Sequence, residues 1–186
     1  MSQYSDGAAR QIETPSKSIM LIGLMGSGKT VIGRMLATSL GWDFVDSDKE
    51  IEEASNLRIS DIFDLYGEPK FREMEARIIS ELITREDAIL SVGGGAYCQA
   101  AIKEMTKGKV ISIWLRAKPA ELLSRMDNLA SRPLLAGDNP LGTLERLYKE
   151  RYNDYNEADI VVDTDGLSLK QSLAKIRDAL NSHLDA

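Results

Sequence analysis

Apolar residues fall into two rhythms along the chain, and their alternation predicts strands joined by helices. Ser18 to Gly23, Asp43 to Asp46, Ala88 to Val92, Val110 to Leu115 and Asp159 to Val162 are short, mostly continuous apolar runs. Continuous runs, as opposed to an apolar and polar alternation, belong to strands of a parallel sheet covered on both faces. The stretches between them are long enough for crossover helices. After the first strand Ile32, Met35, Leu36 and Leu40 recur at helical spacing, and Gly41 supplies a left-handed stop. Phe71, Met74, Ile78 and Leu82 place an apolar stripe on a helix predicted over residues 69–84, which Gly67 and Pro69 separate from the helical stretch before it. Leu144, Leu147, Tyr148, Arg151, Tyr152 and Tyr155 mark a further helix. The segment Arg132 to Gly142, rich in Pro and Gly and without periodicity, reads as a mobile loop. No internal repeat, low-complexity tract or second domain boundary is visible.

Length and composition narrow the class. The chain has 186 residues, and about 100 to 200 residues make one domain. Residues 1–17 are polar with no apolar stretch after a basic start, so they read as a flexible tail and not as a signal or anchor. Residues 18–186 form the single domain. No apolar run approaches the roughly 18 residues of a membrane span, so the chain reads as a soluble protein. The lone cysteine, Cys98, excludes an internal disulfide, and the lone histidine, His183, leaves no Cys/His metal cluster to assemble. The cytoplasm is the simplest compartment. A net charge of -6 disfavours nonspecific attraction to nucleic acid, and any anionic ligand must then be held by a local cluster of arginines.

The chemistry begins at Gly23-Leu24-Met25-Gly26-Ser27-Gly28-Lys29-Thr30, which has the spacing GxxxxGK[ST]. Glycines let backbone N–H groups turn inward around phosphate oxygens, the lysine reaches the outer phosphates, and the hydroxyl joins Mg2+. Gly23, Gly28, Lys29 and Thr30 fill these roles, for a nucleoside triphosphate expected to be ATP. Such spacing arises by chance in about one chain in a hundred of this size, but here it lies between an apolar strand and an amphipathic helix, the context the motif requires. An acid that could help hold the metal is missing from the third strand, which ends Ser91-Val92-Gly93. The nearest candidates are Asp46 and Asp48, two apart and on the same side if the chain is extended. One would serve the metal and the other an acceptor hydroxyl. On the residues alone an equal reading makes Asp48 the cap of a helix through Lys49-Glu50-Ile51-Glu52.

After the P-loop come, in order, Asp46-Ser47-Asp48, Phe71-Arg72-Glu73-Met74-Glu75, Gly93-Gly94-Gly95, Arg132-Pro133-Leu134-Leu135, and Arg151 with Tyr155. In this combination the chain resembles the shikimate kinases from about Ile19 to Leu180. The resemblance implies an α/β P-loop fold of the nucleoside-monophosphate-kinase kind. Its five-stranded parallel sheet has the order 2-3-1-4-5, with helices on both faces, a substrate-binding segment near residues 47–84 and a lid near 126–142. It implies transfer of the ATP γ-phosphoryl group to the 3-hydroxyl of shikimate, towards chorismate and the aromatic amino acids. One Mg2+ per subunit is implied, as is a cytoplasmic monomer with neither nucleic acid nor membrane as partner.

By the same resemblance Gly26, Ser27, Gly28, Lys29, Thr30 and Val31 hold the nucleotide, with Arg125 and the loop Asp163-Thr164-Asp165-Gly166 near the adenine. Thr30, and Asp46 through water, serve Mg2+. Asp48 holds the accepting hydroxyl and takes its proton. Arg72 and Arg151 grip the acceptor's carboxylate beside Gly93, Gly94 and Gly95, Lys29 stabilises the moving phosphoryl group, and Arg132 touches it from the lid.

Physical reasons stand beside these roles. Arginine's planar fork matches a planar carboxylate, which lysine's point charge does not. A glycine triplet at a strand end lets backbone approach a ligand where a Cβ would obstruct it. Glu75, one turn after Arg72, can hold that guanidinium. The plainer readings are an exposed Arg72–Glu75 pair worth a few tenths of a kcal/mol, a flexible turn at Gly93–Gly95, and an Arg151 on the polar edge of a Tyr-rich helix. Arg151 to Tyr155 lacks the Pro-Leu common in the family at this point, which bears on how the helix ends. Nothing basic adjoins Cys98, so it reads as a small packed residue. A related kinase, for example one acting on gluconate, shares P-loop and lid. A noncatalytic ATP-binding relative would lack Lys29, Asp48 or an acceptor arginine, and all are present.

Overall fold

Five strands, β1 (Ile19–Ile22), β2 (Asp43–Asp46), β3 (Ala88–Ser91), β4 (Ile111–Arg116) and β5 (Ile160–Asp163), pair in parallel in the order β2-β3-β1-β4-β5. That is the order the resemblance implies. The computed structural model describes residues 14–126, 133–135 and 137–186. The continuous apolar runs have a direct cause: β1 and β3 are buried at every position, whereas the edge strands β2 and β5 admit solvent at some of theirs. Strand ends differ from expectation by about a residue. Ser18 lies just before β1, and its hydroxyl ties the strand to the entry of β3, donating to the Arg85 carbonyl at 2.7 Å and accepting from the Ala88 N–H at 3.1 Å.

Among the described residues seven α-helices accompany the sheet: α1 (Lys29–Leu40), α2 (Ser47–Ser55), α3 (Ile59–Leu82), α4 (Ala100–Thr106), α5 (Pro119–Ser124), α6 (Pro140–Tyr155) and α7 (Leu169–Leu184). Alternation along β1 divides the core. Ile19 and Leu21 face Ile32, Leu36, Ile176 and Leu180 of α1 and α7, while Met20 and Ile22 share the other layer with Ile79, Leu144, Leu147 and Tyr155. A third, smaller cluster of Ile51, Ile62 and Phe71 joins α2 to α3. α7 is an element the apolar periods do not single out; its start is marked by a capping box in which Ser168 and Gln171 exchange bonds.

Two helices depart from expectation in useful ways. Within α3 the break expected at Gly67 is present, at φ 76 and ψ 171, a backbone state that suits glycine. Beyond it the fully buried line is Phe71, Glu75, Ile79 and Leu82, with Met74 and Ile78 only half-buried. The stripe is thus rotated towards Glu75, and a carboxylate lies in it. α6 starts at Pro140, inside the expected loop, because the Asn139 side chain accepts from the Gly142 N–H at 2.9 Å. Without the Pro-Leu pair it continues unbroken past Arg151 to Tyr155. Of the expected lid, 126–142, residues 127–132 and 136 lie outside the described residues, Arg132 among them. Among the described residues no helix is long and apolar enough to cross a membrane.

Parallel strands bring all their carboxyl ends to one edge of the sheet. There the P-loop leaves β1, Asp46 closes β2, the glycine triplet follows β3, and the Asp163 loop leaves β5.

Candidate functional site

The turn from β1 into α1 depends on glycine at Gly26 and Gly28, whose φ values are 79 and 88, and a Cβ on Gly26 would lie 2.5 Å from the Leu122 carbonyl oxygen. α1 begins at Lys29, so its positive dipole end meets the loop. The Lys29 ammonium folds onto that loop, donating to the carbonyls of Gly23 at 2.7 Å and Leu24 at 3.1 Å. Ser27 is buried, and its hydroxyl has no partner among the described residues. Thr30 Oγ1 stands 3.5 Å from Asp46 Oδ2, while Val31 is exposed on the first turn. One hydroxyl and one carboxylate form a hard oxygen pair that suits Mg2+ when water and phosphate oxygens complete the shell. The described residues contain no group of three or more His, Cys, Asp or Glu able to hold a metal ion.

Asp46 and Asp48 meet for a reason the strand alternation does not give. The cap of α2 is Asp46, not Asp48: its Oδ1 accepts from the Asp48 N–H at 3.1 Å. Asp48 therefore stands in the first helical turn instead of an extended chain, and it is free of capping duty. Its Oδ1 is buried without a partner among the described residues. Burial first, then the charges of Asp46 and Glu75, raise its pKa from 3.8 to about 6, against a smaller opposing pull from Lys29.

The glycine triplet touches every acceptor-side residue in turn. A Cβ on Gly93 would lie 3.0 Å from Asp48 Oδ1 and 2.9 Å from Glu75 Oε1; on Gly94, 3.2 Å from an Arg151 guanidinium nitrogen; on Gly95, 2.7 Å from one of Arg72. Closeness of side chains to bare backbone, and not flexibility, is what these glycines provide. The Gly93 N–H also donates to the Ser47 hydroxyl at 3.3 Å, tying β3 to the start of α2.

Arg72 and Glu75 are not an exposed pair. Glu75 is fully buried and accepts from the Arg72 guanidinium at 2.7 Å, while the outer side of the same guanidinium holds exposed Glu68 at 3.0 and 3.2 Å. Burial raises the Glu75 pKa, and Arg72, Gln99 and Arg151 oppose the rise. On α6, Arg151 is set by aromatic packing: Tyr148, Tyr152 and Tyr155 surround buried Trp114 of β4 with ring centroids 6.3, 5.4 and 5.5 Å away. The Tyr155 hydroxyl donates to the Gly94 carbonyl; burial raises its pKa, and the charge of Arg151 opposes the rise.

Arg125 follows α5 and reaches the loop after β5, donating to Thr164 Oγ1 at 3.1 Å and to the Thr164 carbonyl, with Glu121 at 3.0 Å on its other side. The structure thus joins two features that the sequence places 39 residues apart. Cys98 packs against the core beside α6, and burial pushes its thiol up to about 11, which makes it an inert group. Gln99 is the residue sequence reasoning misses: its amide donates to Glu75 at 2.7 Å. No local pattern marks it.

The chain is similar to known proteins of one family. The family model described as shikimate kinase matches residues 25–181. A shikimate kinase of Rhodopseudomonas palustris is 41% identical over 170 residues, covering 91% of this chain and 84% of that one. One of Ruegeria pomeroyi is 40% identical over 190 aligned residues, covering 100% of this chain and 97% of that one. Among solved structures, a shikimate kinase from Acinetobacter baumannii in complex with shikimate superposes with a TM-score of 0.84 at 37% identity, covering 90% of this chain and 94% of that one. A gluconokinase from Sinorhizobium meliloti superposes at 0.59 with 17% identity, a likeness of fold alone.

Proposed function

The chain belongs to the shikimate kinase family, and on that premise we propose that it transfers the γ-phosphoryl group of ATP to the 3-hydroxyl of shikimate, giving shikimate 3-phosphate and ADP on the way to chorismate and the aromatic amino acids. The observation that supports this most is the convergence of Asp48, Arg72 and Arg151 on one glycine triplet beside the P-loop. A carboxylate base and two guanidinium groups are the complement of a hydroxylated carboxylic acid.

In this reading Arg72 and Arg151 receive the carboxylate of shikimate and fix the ring, with Gly93, Gly94 and Gly95 as the floor. Asp48 accepts the proton of the 3-hydroxyl as that oxygen bonds to the γ-phosphorus and the bond to the ADP oxygen breaks. Gly26, Ser27, Gly28, Lys29, Thr30 and Val31 line the nucleotide. Lys29, now on the Gly23 and Leu24 carbonyls, exchanges them for phosphate oxygens. The orphaned Ser27 hydroxyl gains a phosphate partner. Thr30 and Asp46 would hold Mg2+, one per subunit, with Asp46 acting through water; when bound, the ion neutralises charge on the phosphate oxygens. Arg125 and the loop 163–166 border the adenine. Arg132, outside the described residues, closes on the transferring phosphate from a lid near 126–142. A chain charge of -6 supports excluding nucleic acid as a partner. Cytoplasmic location, absence of a membrane partner and the monomeric state rest on the family resemblance.

Phosphorus–proton correlation NMR of the product tests the assignment: the phosphate should couple to the ring proton at C3. Coupling to another carbinol proton would overturn the placement of Asp48. The triplet gives a second expectation. Gly95→Ala forces the Arg72 guanidinium aside, so the KM for shikimate should rise about tenfold with the KM for ATP within about twofold, measured by steady-state kinetics.

A further inference from the structure

The acceptor clamp has one mobile end and one fixed end. Glu68, whose side chain is 63% exposed, cannot hold Arg72 in a single place, since exposed pairs of this kind contribute little. Fixation comes from buried Glu75. Its Oε2 accepts from Arg72 at 2.7 Å, and the same oxygen accepts from Gln99 Nε2 at 2.7 Å. The amide must present its NH2 there, because a carbonyl facing the carboxylate would be repelled.

Gln99 occupies the N-cap position of α4, yet its side chain makes no capping bond. Glutamine is not among the preferred caps; Asn, Asp and Ser are, because their oxygens sit at the right reach for the first-turn N–H groups. The extra methylene instead carries the amide across to α3. A side chain placed at a cap but spent on a buried carboxylate 24 residues away is poorly explained by helix stability.

We propose that Gln99 is a positioning residue for the acceptor carboxylate: by donating to Glu75 it holds that side chain in the rotamer that aims the Arg72 guanidinium over Gly95. This rests on the reading of Arg72 as part of the clamp. Gln99 touches no substrate, so its loss acts through Arg72 and spares the nucleotide side.

Two variants isolate the effect. Gln99→Met keeps length and loses the donor; Gln99→Asn is too short for Glu75 but is a better cap for α4. Both should raise the KM for shikimate about tenfold with the KM for ATP within about twofold, and Gln99→Asn should melt no lower than the parent. The inference is overturned if either variant keeps its shikimate KM within about twofold of the parent, or if both KM values rise together with a lowered Tm, the mark of a merely structural role. Arg72→Ala run alongside separates this from the reading it rests on: unchanged shikimate affinity there would remove the clamp itself, whereas a weakened Arg72→Ala beside unaffected Gln99 variants would remove only Gln99.

Discussion

Asp48→Asn should lower kcat about a thousandfold while changing ATP affinity less than about threefold, measured by steady-state kinetics and nucleotide calorimetry. Asparagine preserves size and can still orient a hydroxyl, but it cannot take a proton. The nucleotide side loses nothing, because the P-loop bonds belong to Gly23, Leu24 and Lys29. Equal losses in turnover and ATP binding would show that Asp48 supports the nucleotide instead.

The same variant carries a pH signature. With a pKa of about 6, Asp48 is the needed carboxylate above that value, and kcat/KM should fall about tenfold per pH unit below it. Asp48→Asn should abolish this limb of the profile. Stability should move the other way. Because the folded-state pKa is raised, the native protein binds the proton more tightly than the unfolded chain. The charged form therefore costs stability at neutral pH, and the cost fades as pH falls towards 4. Asp48→Asn should thus raise Tm at pH 7 and have little effect near pH 4, a gain of stability bought with activity.

Arg72→Ala and Arg151→Ala should each weaken shikimate binding about a hundredfold, with ATP affinity within about threefold, in calorimetric titrations. Unchanged shikimate affinity in either would remove that arginine from the clamp. The two should differ in stability. Arg72→Ala strips the main partner from a fully buried carboxylate and should cost about 3 kcal/mol at pH 7. Glu75 already has a raised pKa because of its burial, so in this variant it should protonate more readily and the deficit should shrink as pH is lowered from neutral. Arg151→Ala leaves the Arg72–Glu75 pair in place, and the Trp114 packing of its helix comes from the tyrosines. Its denaturation midpoint should fall less.

How much of this was legible in the chain depends on whether a feature is local. The central strands were visible because a strand covered on both faces is mostly apolar, and β1 and β3 are buried at every position. The break at Gly67 was visible because glycine and proline punctuate any helix. Asp46 and Asp48 stood out in the sequence, but their same-side placement was conditional on an extended chain, and that condition fails because α2 begins at Ser47. Glu75 carried an unread signal: it lies four residues from both Phe71 and Ile79, inside the buried line of α3, where a charge requires a partner. The short helices α4 and α5, of 7 and 6 residues, are too brief to show a period. Gln99 meets Glu75 only through the tertiary fold, and no spacing in the sequence could have announced it.

The acceptor assignment is tested most directly by ATP-dependent ADP release with a panel of shikimate, gluconate and nucleoside monophosphates. ADP release should depend on shikimate and be near background with the others. Turnover of gluconate or a nucleotide in preference to shikimate would contradict the assignment.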